Sequence, residues 1–391
     1  MRTILHRPEL ASYVRSVDLS GDTFCDEDIF VFGGRIPTIP IAGLFLSHAI
    51  KAVEATDVPF ARLWKRDLRV AKMDALVAVL LSQLHNLTRL VMCANFAIES
   101  RLVGMLFSAA LCEKGSYKLP TFRHLRDVAY RLKHGEARNM SGRNTANALP
   151  FFYLPEIQTL SVALDNPIAF GWITHTPGPS TITSLDLYHI REAHLGRLLS
   201  VTPGLSTLRW DLFYKSKSKH LSNTTLIDLD EVATALIHVR HTLKHLAITA
   251  GFTFRIRRGY RDFPVLGIKG SLSPLVGFIQ MERLEIPLPF LAGFTPKARN
   301  RLEDVVPRNI RCLSISDDLQ RQEKYEWDDT ALVSTIESWL NGSRNSYPKL
   351  NAISLWLGGT VSDGGAEIKG ELTNLCNQYG LQAEINKYGW R

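Results

Sequence analysis

One short phrase recurs along the chain and limits the possible folds more than any other feature of the sequence. It reads apolar, two variable residues, apolar, one variable residue, apolar. Its clearest copies occupy residues 182–187, 205–210, 243–248, 281–286, 310–315 and 350–355. The alternation at the end of the phrase is typical of a β-strand that buries one face. Each copy therefore predicts a short strand whose apolar side chains point into a core.

Repetition of this phrase predicts a repeat architecture. It is the strand signature of a leucine-rich repeat, in which successive units stack and bury their apolar faces against one another. We take the middle apolar residue of each copy as its anchor, which gives Val17, Leu90, Val128, Leu160, Leu185, Leu208, Leu246, Leu284, Leu313 and Ile353. A last strand is predicted around Leu381, Ala383 and Ile385.

Helical patterns lie between the strand phrases. Apolar residues recur at helical spacing in residues 97–113, 228–241, 328–340 and 366–379. Strand and helix in alternation indicate parallel strands with helices packed against them. We therefore predict an α/β fold, an irregular leucine-rich-repeat solenoid (horseshoe) with a parallel sheet on the concave side and helices on the convex side.

The predicted organisation is a single leucine-rich-repeat-like domain over residues 1–391. Residues 29–84 lack a convincing strand phrase and contain several glycines and prolines, so we predict a divergent or inserted N-terminal segment with its own helix. Residues 131–147 are polar and basic, and we predict that they form an exposed loop. Residues 250–273 are predicted to form another exposed loop.

Composition limits the class of protein and its compartment. The chain is 45% hydrophobic and 21% charged, as in ordinary globular proteins, and its net charge of +8 is mild for this length. Five widely spaced cysteines, an odd number, indicate a reducing compartment. The first residues lack an apolar signal core, and the most apolar run, residues 75–84, is too short to span a bilayer. We expect a cytoplasmic or nuclear protein with no membrane partner.

Several stretches carry a resemblance to a known family. The strings LHRPELASYVRSVDL, LPEIQTLSVALDNP, ITSLDLYHIREAHLGRLLSVTPGLSTLRWDLFY and LIHVRHTLKHLAIT resemble the leucine-rich-repeat region of fungal F-box proteins. In that family a Pro-x-Leu-x-x-Leu phrase often introduces a strand, as Pro203, Leu205 and Leu208 do here. The resemblance implies the substrate-receptor half of a cullin-RING ubiquitin ligase. The F-box itself is not visible, so a ligase adaptor is an expected partner only if an F-box lies upstream.

The outward positions of the predicted sheet are the first candidate site. Residues between the apolar positions of the strands point away from the core. They supply mixed charges and aromatic rings, and arginine and aromatic residues anchor protein interfaces. The alternative is a solvated face whose opposite charges pair across strands. We predict partner binding by Asp186, Tyr188, Arg209, Asp211, His245, Arg283, Glu285 and Trp356.

Two basic stretches form the second candidate site, which we name the basic rim. Each stretch follows a predicted strand, and together they could contact a polyanion such as a nucleic acid. The alternative is a pair of solubilising loops, and on this ground nucleic acid is not the favoured partner. The residues of the basic rim are Lys215, Lys217, Lys219, Arg255, Arg257, Arg258 and Arg261.

Signatures of catalysis are absent from the sequence. It contains no hydrolase nucleophile elbow, phosphate-binding loop, zinc-protease motif or dinucleotide-binding fingerprint. His238, His241 and His245 are closely spaced, but no cysteine or carboxylate completes a metal site at ligand spacing. We therefore predict a non-enzymatic protein with no cofactor and no metal.

Overall fold

A computed structural model describes most of the chain. The described residues are 1–19, 43–97, 100–113, 115–130, 142–164, 166–214, 225–252, 255–257, 260–297, 301–358 and 365–387. They divide into two compact units, which we call unit 1 (Met1–Leu185) and unit 2 (Asp186–Arg391). The prediction of a single domain stays a prediction, and each unit is described by itself below.

The molecule is a mixed α/β protein with a large parallel sheet of eleven strands. The strand order is β1, β2, β3, β4, β5, β6, β8, β12, β13, β14, β15, so the sheet strands follow one another in chain order. Their bounds are β1 Ser16–Leu19, β2 Arg89–Met92, β3 Asp127–Tyr130, β4 Thr159–Ala163, β5 Ser184–Tyr188, β6 Thr207–Tyr214, β8 His245–Phe252, β12 Arg283–Pro287, β13 Cys312–Ser316, β14 Ala352–Leu357 and β15 Gln382–Lys387. The predicted parallel sheet is confirmed.

In unit 1 the predicted anchors stand side by side. Val17 pairs with Leu90, Leu90 with Val128, and Val128 with Leu160. All four are buried, because the alternating phrase turns them toward the core. The helices of unit 1 are α1 Arg2–His6, α2 Gly43–Ala55, α3 Ala61–Arg69, α4 Met73–Ser82, α5 Ala94–Ala97, α6 Arg101–Leu111 and α7 Gly142–Ala148.

In unit 2 the anchors form a longer apolar row. Pairing in register joins Leu208, Leu246, Leu284, Leu313 and Ile353, and the row ends at Ala383 in the predicted last strand. The first five are at most 1% exposed. Burial of one such side chain contributes about 1.5–3 kcal/mol. This row therefore fixes which strand faces turn inward.

Three of the helices described in unit 2 occupy predicted segments with shifted ends, whereas the helices at residues 192–199 and 288–292 were not predicted. Their bounds are α8 Glu192–Leu199, α9 Leu229–Leu236, α10 Leu288–Ala292, α11 Asp329–Ser343 and α12 Gly365–Gln378. The Asp228 carboxylate caps α9 by accepting hydrogen bonds from the backbone N–H groups of Asp230 and Glu231. Asp328 caps α11 in the same way, with a 2.7 Å bond from the Ala331 N–H.

Residues 250–273 differ from the predicted single loop. β8 continues through Phe252, and two short pairings follow: β9 (Arg255–Arg257) with β10 (Tyr260–Asp262), and β11 (Gly267–Lys269) with β7 (Leu226–Asp228). Asp228 and Lys269 are register partners of β7 and β11. The Lys269 ammonium lies 2.7 Å from the Asp228 carboxylate and lowers the pKa of that carboxyl. A pairing between residues 41 positions apart leaves no local sequence pattern.

Two other predicted segments are partly described. In residues 29–84, the part from Gly43 onward contains α2, α3 and α4, which agrees with the expected helix. In residues 131–147, the part from Gly142 onward belongs to α7 rather than to a loop. Within the described ranges, no helix is both long enough and apolar enough to cross a bilayer.

Candidate functional site

Strand alternation places the polar residues of unit 2 in rows on one side of the sheet. We call this side the outward face, because the anchors on the other side are buried. Row one holds the residue before each anchor: Thr207, His245, Arg283, Cys312, Ala352 and Gln382. Row two holds the residue after each anchor: Arg209, Ala247, Glu285, Ser314, Ser354 and Glu384.

Three charged side chains of these rows lack partners within the described part of the chain. Arg209 and Arg283 are exposed, and Glu285 is half-buried. None of the three makes a side-chain hydrogen bond or ion pair with another described residue. In register, Ala247 separates Arg209 from Glu285, and an alanine side chain cannot bridge them. The predicted alternative of charges pairing across strands is therefore not what unit 2 displays at these positions.

The matching rows of unit 1 behave differently. Arg89 in β2 pairs in register with Asp127 in β3, and its Nε lies 3.0 Å from the Asp127 Oδ2. Next to them, Ala129 and Ser161 are buried. The charges at the same strand positions in unit 1 are thus satisfied inside the chain.

His245 lies among charged residues. Burial lowers the pKa of its imidazole, and the neighbouring Arg283, its register partner in β12, lowers that pKa further. Lys244 and Arg209 act in the same direction, whereas Glu282 raises the pKa. His245 is therefore held neutral near pH 7, where it offers one hydrogen-bond donor and one acceptor.

The remaining predicted site residues are less accessible than Arg209 and Arg283. Tyr188 and Trp356 are half-buried, whereas Asp186 and Asp211 are each 8% exposed. Asp211 accepts a 3.0 Å hydrogen bond from the Thr249 hydroxyl of the adjacent strand. The two aspartates are therefore buried, although strand alternation predicts that they lie on the outward side.

A distant loop also reaches the end of β8. Asp318, which follows β13, accepts a 2.8 Å hydrogen bond from the backbone N–H of Ala250 in β8. The Gln322 side-chain oxygen accepts a 2.7 Å bond from the Leu266 N–H. The segment after β13 thus crosses to the end of β8 and to the segment preceding β11. Such contacts depend on tertiary structure and cannot be found by strand alternation.

One charged residue of the outward face escaped the sequence prediction. Glu384 in β15 is exposed and occupies row two at the end of the sheet, where the Ser354 hydroxyl lies 3.5 Å from its carboxylate. The signal was present, because Glu384 lies between Ala383 and Ile385 in the predicted last strand. It adds a second acidic residue, after Glu285, to the two rows of the outward face.

The basic rim can be located only in part. Lys215, Lys217, Lys219 and Arg258 lie outside the described residues. The backbone of Arg255, Arg257 and Arg261 belongs to the β9–β10 hairpin, in which Arg257 pairs with Tyr260 and Arg261 with Ile256. The prediction that these residues form one basic surface stays a prediction.

The described residues contain no cluster of three or more histidine, cysteine or acidic side chains able to hold a metal ion. Burial raises the pKa of the Cys112 thiol to about 12 and that of Cys376 to about 11, so neither forms a thiolate readily.

The chain was compared with known proteins. No protein-family model matches it, and no curated protein sequence matches it significantly.

Proposed function

We propose that the outward face of unit 2 binds a protein partner and that the chain acts as a non-enzymatic interaction scaffold. The observation that carries the proposal is the set of charged side chains, Arg209, Arg283 and Glu285, that make no ion pair or hydrogen bond with other described residues. The sheet holds their backbone in register, so little backbone conformational entropy is lost when a partner pairs with them.

The mixture of residues favours a protein over a polyanion. The face carries both signs of charge: Arg209, Glu285 and Glu384 lie in row two, and Arg283 lies in row one on the same strand as Glu285. A polyanion would be repelled by the carboxylates, whereas a protein can present complementary charges to both. Half-buried Tyr188 and Trp356 add aromatic area of the kind found at interface centres.

We extend the proposal to the repeat class and the cellular role. The in-register anchors and the intervening helices support an interpretation of the strand–helix units as leucine-rich repeats. By its resemblance to the repeat region of fungal F-box proteins, the chain would present a substrate to a cullin-RING ubiquitin ligase, in the cytoplasm or the nucleus. Copurification with a purified cullin adaptor tests the ligase role, and partner binding without adaptor binding would remove it.

The binding proposal is tested by removing the three charges together. The variant Arg209→Gln, Arg283→Gln, Glu285→Gln removes the charges but leaves polar side chains, and it should lose the partners that the wild-type chain captures. Partners identified by capture are then purified and titrated against each variant by calorimetry. Unchanged affinity in the triple variant would overturn the proposal.

A matched control uses exposed charges elsewhere in unit 2. Arg308, Lys369 and Glu371 are exposed, and their replacement by Gln changes the net charge by the same amount. This control should bind like the wild type. If the basic rim binds a polyanion instead, the chain should bind an oligonucleotide with an affinity that falls steeply as the salt concentration rises. Titration with an oligonucleotide at several salt concentrations tests this alternative.

A further inference from the structure

Helix α3 in unit 1 has one face in the core and one face in solvent. Trp64, Asp67 and Leu68 are buried, and the Trp64 indole donates a 2.9 Å hydrogen bond to the Ala75 carbonyl in α4. The helix packs between α2 and α4 through this side. Arg62, Arg66 and Arg69 are exposed, and their spacing of four and three residues places them along one face of the helix.

Most basic residues around α3 are neutralised by acidic neighbours, but two are not. Lys65 pairs with Glu54 at 2.8 Å, while Arg66 and Lys72 both pair with Asp67 at 3.1 Å. The side chains of Arg62 and Arg69 make no ion pair or hydrogen bond with any described residue. Two guanidinium groups thus remain available on the exposed face.

Apolar side chains lie between and beside these arginines. An open groove is lined by Pro59, Phe60, Arg62, Leu63, Arg66 and Arg69. Phe60 and Leu63 are half-buried, and the Phe60 ring stacks on Trp64 with centroids 5.9 Å apart. Val70, directly after the helix, is 63% exposed. The groove therefore offers an apolar floor between charged ends.

The spacing of the charges defines what fits this groove. Arg62 and Arg69 are about 10 Å apart along the helix axis, because each residue advances about 1.5 Å. Positions i and i+7 of a second helix have the same separation, and positions i+3 and i+4 lie between them on the same face. We propose that the α3 groove binds an acidic amphipathic helix of a partner protein, with carboxylates at i and i+7 and an apolar side chain at i+3 or i+4.

A peptide fits these observations better than a nucleic acid. The charged groups flank an apolar floor, as in grooves that receive amphipathic helices, rather than forming a continuous basic track. One face of Phe60 is covered by Trp64, which removes that face as a platform for base stacking. Guanidinium groups also pair with carboxylates in a two-bond geometry that fixes orientation. This surface is separate from the outward face of unit 2, so either proposal can fail alone.

The test uses a labelled alanine-based peptide with Glu at i and i+7 and Leu at i+3. Fluorescence anisotropy with the full chain should show tighter binding of this peptide than of a peptide with the same composition but glutamates on opposite helix faces. The variant Arg62→Gln, Arg69→Gln should weaken binding roughly tenfold, as expected for two solvent-exposed ion pairs. Glutamine keeps the helix propensity of arginine, and a thermal unfolding curve checks that the fold is intact.

Two further variants make the result specific. The control Arg7→Gln, Arg101→Gln removes the same charge from exposed arginines outside the groove and should leave affinity unchanged. The reversal Arg62→Glu, Arg69→Glu should bind the matching peptide with Lys at i and i+7. Equal binding of the two glutamate peptides would overturn the proposal. So would an oligonucleotide that binds more tightly than the patterned peptide and loses affinity in the Arg62→Gln, Arg69→Gln variant.

Discussion

Arg89 in β2 and Arg283 in β12 occupy the same position, one residue before the anchor of their strand, but they meet different neighbours. In unit 1 the register partner of Arg89 on the following strand is Asp127, and the two side chains form a 3.0 Å ion pair. In unit 2 the register partner of Arg283 on the following strand is Cys312, whose side chain offers no carboxylate to the guanidinium. The same strand phrase therefore yields a charge satisfied within the chain in unit 1 and a charge open to a partner in unit 2.

The difference shows that the next strand along the sheet decides whether a charged side chain is paired within the chain or open to a partner. Arg283 and Arg89 are both exposed arginines at the same position of their strands. Its neighbour in space is supplied from 29 residues later in the sequence, at Cys312. A polar residue of the sheet is therefore a candidate for partner binding when its register neighbours are apolar or neutral.

The largest expected effect on the free energy of unfolding concerns a buried ion pair of unit 2. Arg191 and Glu192 are buried away from the rows of the outward face, joined by two 2.8 Å hydrogen bonds, and Arg191 also donates to the Leu226 carbonyl. Glu192→Ala leaves the buried guanidinium without its carboxylate and should lower the free energy of unfolding by about 3–5 kcal/mol. Asp127→Ala in the exposed pair of unit 1 should cost about 1 kcal/mol or less. Denaturant titration measures both, and equal losses would contradict the contrast.

A second prediction transplants the unit 1 arrangement into unit 2. Cys312→Asp places a carboxylate beside Arg283 in the register that Asp127 has beside Arg89. The new pair should raise the free energy of unfolding by at most about 1 kcal/mol. It should also weaken partner binding several-fold, because Arg283 is then engaged. Cys312→Ser is the neutral control, and equal affinity of the two variants would show that the partner does not use Arg283.

A third prediction compares pairwise coupling on the two faces. A double-mutant cycle on Arg89 and Asp127 should give a coupling of about 0.2–1 kcal/mol, the range for exposed ion pairs. The same cycle on Arg209 and Glu285 should give a value indistinguishable from zero, since Ala247 separates them in register. A coupling in unit 2 as large as that in unit 1 would mean that the outward face satisfies its own charges.

The smallest effect is the titration of His245. Burial, followed by the charge of Arg283, lowers the pKa of this imidazole below 6.5. The unfolded chain therefore binds more protons than the folded chain just below pH 6.5, so the contribution of His245 is complete above that pH and is lost as the pH falls through the folded-state pKa. NMR titration of the ring should show Arg283→Gln raising the pKa, while Arg308→Gln leaves it unchanged.

Strand positions were accessible from the sequence because alternation and burial are local and strong. Leu208, Leu246, Leu284, Leu313 and Ile353 were identified as anchors, and they lie in one register row. The capping role of Asp328 was also predictable, since an aspartate before an apolar helical pattern is a known start signal. These features need only the residues of one strand or one helix.

Accessibility within the candidate site could not be predicted in the same way. Alternation placed Asp211 on the outward side, but the Thr249 hydroxyl on the adjacent strand occupies one of its carboxylate oxygens. The loop after β13 reaches Ala250 through Asp318, a contact that joins residues 68 positions apart. The unpaired arginines of α3 were missed, because only the structure shows that the nearby carboxylates of Glu54 and Asp67 pair with other basic residues.

The contrast between the sheet positions of unit 1 and unit 2 is tested most directly with a partner captured by the wild-type chain. The measurement is the ratio of the dissociation constants of two variant proteins for that partner. One protein is Arg209→Gln, Arg283→Gln, Glu285→Gln in unit 2, and the other is Arg89→Gln, Asp127→Asn in unit 1. Loss of interface arginines at a binding centre costs about 2 kcal/mol or more, which corresponds to roughly thirtyfold. We predict at least that loss for the unit 2 variant and wild-type affinity for the unit 1 variant. Equal affinities, or a larger loss in unit 1, would contradict the account.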